Sequence, residues 1–256
     1  MLLLQRRQKL YLQVFCILNF VTMEPTPVNH FQNIKRLYNL PDNESDGFTE
    51  TEIIALEKRL SITLPAALRN YYLALGQNEA VNYSHNRLLK PGKDIQFSKD
   101  RYLVFYEENQ AVSSWGIKEA DLHLYNPPVW GNYGTKRKPD WYLETKATDL
   151  FFLLMAIYNG TLGGLRYNAN YLKPVDTKVY QLIEKNWTLV PEISWEKQKV
   201  YTDNFEAVIS LSLDDRNNCV AIFTGTNNQE LFDNILDDIG VDWSYVSYED
   251  EDAEDN

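Results

Sequence analysis

Glu107 and Glu108 stand side by side in YEENQAVSSWGI (residues 106–117), followed by two amides, Asn109 and Gln110, and then by Trp115. Two carboxylates near a tryptophan are the materials of general acid/base chemistry, in which one carboxyl gives a proton and the other takes one. The spacing argues against it. Adjacent strand residues point to opposite faces, so only an irregular turn brings Glu107 and Glu108 to one site. The sequence places no nucleophile or metal ligand beside them. The apolar runs on either side, RYLVFY and LHLYNPPV, make a β-hairpin the simplest reading, with its turn at Glu108-Asn109. Asn tolerates the left-handed backbone that such turns need. Trp115 then packs on the sheet.

Other chemistry is scarce. His30, His85 and His123 are isolated, with no H-x-x-H or H-E-x-x-H spacing for zinc. His123 alternates with Leu122 and Leu124, which suggests an exposed strand position. Cys16 and Cys219 lie far apart and match no redox or zinc spacing, which suits a reducing compartment and a cytoplasmic location. GTLGG (160–164) lacks the Lys-Ser/Thr ending of a phosphate-binding loop and follows a helix, so it reads as a helix stop. No cofactor motif is present, and the chain reads as a non-enzyme.

One loop is unusual. PPVWGNYGTKRKPDWY (127–142) combines Trp130, Tyr133, Trp141 and Tyr142 with Lys136, Arg137 and Lys138. Aromatics beside cations can stack on bases and hold phosphates. The formal charge of −11 on 256 residues opposes that use and favours encounter with a basic protein. Trp, Tyr and Arg are also the usual anchors of protein interfaces. The charge is uneven: the first 22 residues carry three bases and no acid, and the last eight hold six acids. That tail, with Asp250, Glu251 and Asp252, is either a solvating end or an electrostatic lure.

The elements that would position these groups follow from periodicity. Thr49 and Glu52 form a capping box before Ile53, Leu56 and Leu60. Pro65 opens a second helix with Leu68, Tyr71, Tyr72 and Leu75 on one stripe, stopped by Gly76. Strands are expected at 94–97, 101–107 and 111–117. A helix follows at 148–159, capped by Thr148, with Leu150, Leu153, Leu154, Ile157 and Tyr158 inside. Further along come a helix at 177–186, strands at 206–213 and 219–224, a helix at 228–239 and a strand at 241–248. Helices first and hairpins later argue an α+β fold. At the start, MLLLQRRQKLYLQVFCILNFVT looks signal-like, but Gln13 and Asn19 interrupt its apolar run and no small-residue cleavage site follows. Residues 1–22 read as an over-extended start before Met23, with an export or anchoring signal as the alternative. The expected division is 1–22, a domain over 23–248 and a tail over 249–256.

TETEIIALEKRLSITLPAALRNYYLALG, then YLVFYEENQAVSSWGI, then LHLYNPPV, then the helix from 148, resemble in that order the SUKH superfamily. This group includes a yeast cell-wall-assembly regulator and many bacterial immunity proteins. The resemblance covers about 45 to 160 and extends less closely to 248. Asn126 departs from it, standing where the family segment commonly has Asp. The resemblance implies an N-terminal helical hairpin followed by a mixed or antiparallel sheet with packed helices. It also implies an immunity protein that occludes the active site of a cognate toxin, such as a nuclease or deaminase. On that reading the toxin-binding candidates are Glu107, Glu108, Trp130, Tyr133, Trp141, Asp250, Glu251 and Asp252. The partner is a basic toxin, with no direct nucleic-acid or membrane contact. The alternative is a scaffold or regulatory protein with several partners.

Overall fold

The computed structural model describes residues 30–42, 46–135 and 137–248. Expectations on residues 1–22, on Met23, on Lys136 and on Asp250, Glu251 and Asp252 fall outside the described residues.

Helix α1 (His30–Leu37) lies in a segment that matches no expected element; Ile34 and Leu37 on its apolar stripe are fully buried. Helix α2 (Glu50–Leu60) starts on the expected capping box. The Thr49 N–H donates to Glu52 Oε2 at 2.8 Å, and the Glu52 N–H donates back to Thr49 Oγ1 at 3.3 Å. In α3 (Ala66–Leu75) Pro65 sits one position before the first turn, and Leu68, Tyr71, Tyr72 and Leu75 are buried as the stripe requires. Gly76 ends α3 for a reason other than left-handed backbone. Its φ is −61°, and a Cβ there would meet the Tyr72 carbonyl oxygen at 2.6 Å and the Phe48 ring at 2.7 Å. Helix α4 (Glu79–Asn82) is a single turn.

Six strands follow: β1 (Arg87–Leu88), β2 (Gln96–Phe97), β3 (Tyr102–Glu107), β4 (Ser114–Lys118), β5 (Val129–Asn132) and β6 (Trp141–Thr145). They form one antiparallel sheet in the order β1-β3-β4-β5-β6, with β2 also on β3, so β6 is an edge. The expected strand at 111–117 begins only at Ser114. The expected loop at 127–142 is instead the β5–β6 hairpin. His123 is exposed but lies in a turn rather than a strand.

Helix α5 (Thr148–Asn159) follows at the expected place, but Ala147 rather than Thr148 occupies its cap position. The Thr148 hydroxyl donates to the Pro127 carbonyl at 2.8 Å, while Asn126 Oδ1 accepts from the Asp149 N–H at 3.2 Å. Past Asn159 the helix stops and the chain turns away over Gly160–Gly164, as the expected stop and loop require: Leu162 and Gly163 leave the helical backbone, Gly163 with φ 117°, and the Leu165 N–H donates to the Gly160 carbonyl at 3.0 Å.

The rest builds a second antiparallel sheet: β7 (Tyr167–Tyr171), α6 (Thr177–Asn186), β8 (Thr188–Leu189), β9 (Gln198–Asp203), β10 (Ala207–Leu213), β11 (Cys219–Thr226), α7 (Gln229–Ile239) and β12 (Tyr245–Val246). Strand order is β12-β7-β11-β10-β9-β8. The α+β class is therefore as expected, with two antiparallel sheets in place of one.

The α5 sequence is apolar all round because protein covers almost all of it. Phe151 meets Phe105, Tyr106 and Trp115 of the first sheet. Phe152 stacks on Tyr71 of α3 with ring centroids 3.5 Å apart. Val200 and Val208 bring the near face of the second sheet into the same core, joined by Ile193 from the turn before β9. Period-two alternation then sends Ala207, Ile209 and Leu211 to the far face, where α6 and α7 cover them with Ile183, Ile235 and Ile239.

Candidate functional site

The first sheet has one face under the helices and, among the described residues, one free of them. Leu103, Phe105, Trp115, Ile117 and Val129 point into the core. On the opposite face the register aligns Gln96, Val104, Gly116, Trp130 and Leu143 in one row, with Tyr102 beside Lys118 in the next. Tyr102, Val104 and Trp130 are only half-buried there, and Leu143 is exposed. Gly116 leaves the middle of this face low, and a Cβ there would sit 2.8 Å from the Leu103 carbonyl oxygen.

Over that low centre the rings gather. Trp141, three strands away, stacks on Tyr102 at 3.9 Å with planes 8° apart, and Trp130 meets Tyr102 edge-on at 6.3 Å. Lys118 Nζ lies 3.5 Å from the Trp130 ring centroid, a cation–π contact. The Trp141 indole N–H donates to Asp100 Oδ2 at 3.3 Å, whereas the buried indole nitrogen of Trp130 has no acceptor among the described residues. Charged groups rim the cluster. Burial first, then Asp100 and Asp121, raise the Tyr102 phenol pKa. Arg101 pairs with Glu119 and holds its carboxyl below the usual range.

Glu107 and Glu108 have separate roles. A bulge between Val104 and Tyr106 lets both Phe105 and Tyr106 point inward, and Glu107 then returns to the free face. There it pairs with Arg87 at 2.9 Å. Glu108 folds into its own loop, where Oε2 accepts from the Gln110 N–H at 2.9 Å and the Val112 N–H at 3.2 Å. The turn is wider than Glu108-Asn109. The Glu108 N–H donates to the Ser113 carbonyl at 3.0 Å, and Ala111 takes φ 56° inside the loop. The two carboxylates thus share no site.

The core-side face of the same sheet continues past Trp115 into a cleft of about 580 Å³ between β6 and the turn Pro191–Ile193. Leu150 and Leu154, one turn apart on α5, form its floor. Tyr133, Tyr142 and Trp195 line it and keep substantial exposure. The Tyr133 hydroxyl donates to Glu144 Oε2. Burial, and then the Glu144 charge, push the Tyr133 phenol well up, and the same two causes raise Tyr158 one turn beyond Leu154. Gly131 makes the convergence possible, since a Cβ there would stand 2.7 Å from Glu144 Oε2 and 3.0 Å from Trp115 Nε1. That indole nitrogen is buried without a hydrogen-bond acceptor among the described residues. It lies close enough to Tyr133 to oppose the rise of the phenol pKa slightly.

Farther along α5, Tyr158 and Thr161 border a second cavity of about 120 Å³ with Ser210, Ser212 and Gln198, whose amide nitrogen is buried without a partner among the described residues. Cys219 is buried, and burial pushes its thiol up to about 11, away from the thiolate form. Among the described residues no group of three His, Cys, Asp or Glu could hold a metal ion, and no helix is long and apolar enough to cross a membrane.

The structure therefore brings Trp130 and Trp141 together on the free face, with Glu107 on that face, and puts Tyr133 on the opposite side. Glu108 is committed to its loop. Tyr102, Lys118, Glu144 and Trp195 were not among the expected site residues. The alternation in WYLET (141–145) was the available signal for the β6 strand that organises both surfaces. Comparison of the chain with protein-family models, with curated proteins and with solved structures finds no match.

Proposed function

We propose that this protein is a non-enzymatic, cytoplasmic immunity protein of the SUKH type that binds a basic toxin and covers its active site. The observation that carries this reading is the Tyr102–Trp130–Trp141 cluster on a helix-free sheet face. Stacked aromatics give large contact area with little side-chain freedom to lose, which is what a binding hot spot needs. The rim carboxylates Asp100 and Asp121 and the overall charge of −11 supply attraction to a cationic partner. The residues of the toxin that bind phosphate would face these acids. In this reading Trp130, Trp141 and Glu107 bind the toxin and Glu108 shapes the neighbouring loop. Tyr133 lies outside the primary contact, and the acidic tail adds to the association rate.

The test uses the full chain as bait in lysates of the source strain and its competitors, followed by an activity assay of any stoichiometric partner. Inhibition at one-to-one ratio is expected. Association should slow strongly between about 50 and about 300 mM salt. Trp130→Ala and Trp141→Ala should each weaken binding by about tenfold or more. A partner whose activity is untouched at stoichiometric occupancy would overturn the proposal.

A further inference from the structure

Strand β6 is open along one side, and the cleft lies against that side. The Tyr133 N–H donates to the Asp140 carbonyl at 3.0 Å, and pairing then runs Asn132 to Trp141, Gly131 to Tyr142 and Trp130 to Leu143. Bonded and non-bonded pairs alternate in an antiparallel ladder. Tyr142 is thus bonded to Gly131, and the N–H and C=O groups of Trp141 and Leu143 point away from β5. No described residue takes up those groups. An open edge of this kind templates another strand. Its protection is thin: Pro139 stands before the strand and a single lysine, Lys146, follows it.

The cleft says what such a strand should carry. A strand added beside β6 sends every second side chain toward Tyr142 and Glu144, at a spacing of about 6.8 Å. Tyr133, Tyr142 and Trp195 give aromatic walls for an aliphatic stem and a planar cation. Glu144 and Glu192 outnumber Lys146 among the charged groups of the lining. Arginine fits this combination better than lysine, because its flat guanidinium both stacks on rings and forks onto a carboxylate.

We propose that the β6 edge takes up an extended, arginine-bearing segment of a partner protein as an added strand, with one arginine side chain in the Tyr133–Tyr142–Trp195 slot and its guanidinium on Glu144. This surface is on the opposite side of the sheet from the Trp130–Trp141 cluster. It does not require the partner to be a toxin, so the two proposals stand or fall separately.

The probe is a fluorescent eight-residue peptide of alternating arginine and valine, titrated into the full chain by anisotropy at about 150 mM salt. Two comparison peptides carry N-methyl groups on either the odd or the even residues, which leaves charge intact and removes one set of strand hydrogen bonds. The expected result is saturable one-to-one binding of the parent. Binding should be lost with one methylation pattern and kept with the other. Glu144→Gln still accepts from Tyr133 and is expected to weaken the peptide about tenfold, whereas Asp238→Asn on α7 leaves it unchanged. Equal binding of both methylated peptides, equal losses for Glu144→Gln and Asp238→Asn, or no binding of the parent would each overturn the proposal. So would self-association of the chain that Glu144→Gln disperses in light scattering, since a second copy would then be the occupant.

Discussion

Asn159 is a fully buried amide at the end of α5 that holds three elements at once. Its Nδ2 donates to the Val81 and Asn86 carbonyls at 2.8 and 3.0 Å, and its Oδ1 accepts from the Asn86 N–H at 2.8 Å. Leucine would fill the space and leave three buried backbone groups unpaired. Asn159→Leu is expected to lower stability by about 3 kcal/mol, read as a drop in urea midpoint with unchanged slope. No local pattern announces such a residue, because its partners lie more than fifty positions earlier, the Tyr106 hydroxyl, which accepts from Nδ2 at 3.2 Å, among them. The same holds for Asn126, whose departure from the family's Asp looked like a lost charge. In the structure its amide oxygen accepts from the Asp149 N–H, a role that needs an acceptor and no charge. Thr49 and Glu52 were legible for the opposite reason: both partners of each bond lie within four residues.

At the scale of elements, the α2 cap carries a pH dependence. Hydrogen bonds from the Thr49 backbone and hydroxyl lower the Glu52 carboxyl below its ordinary 4.5. A depressed carboxyl contributes stability above its unfolded value and loses it as pH falls through its folded value. The first turn of α2 is therefore expected to fray below about pH 4.5, seen as faster amide exchange at Glu52 and Ile53. Glu52→Gln should keep the turn capped and remove the dependence. At neutral pH, Thr49→Ala should cost about 1 kcal/mol. Helices α2, α3 and α5 were readable because their stripes span several turns. The β5–β6 hairpin was not, since Pro139 and the Thr135–Lys138 turn, closed by reciprocal bonds of 3.0 and 3.1 Å, look like loop chemistry. Tyr158, expected inside, is 37% exposed and borders the smaller cavity with Ser210 and Ser212.

The whole molecule is organised by a helix sandwiched between partners that its sequence cannot name. LFFLLMAI declares burial on every side, yet nothing in it says that Phe152 will stack on Tyr71 and tilt against Phe105. Phe152→Ala removes the ring that joins α3, α5 and β3. It should cost about 3–5 kcal/mol in denaturant unfolding. The loss should appear in both sheets together if α5 couples them, measured by hydrogen exchange at Leu103 and at Val208. Two sheets in place of one escaped the sequence because strand partners are chosen in three dimensions, and short strands such as β8 and β12 carry two residues of pattern each.

The bulge in β3 sets the parity of the whole face that carries the Tyr102–Trp130–Trp141 cluster. Residues before it and after it obey alternation rules that are out of step by one, and only the doubled inward pair Phe105–Tyr106 reconciles them. Excising Phe105 would restore a single rhythm to the strand. Either Tyr102 would then turn inward and desert the aromatic cluster, or Glu107 would be driven toward the core and leave Arg87. The loop at 109–112 has no such constraint, so the hairpin can vary in length at its tip but not by one residue in its stem.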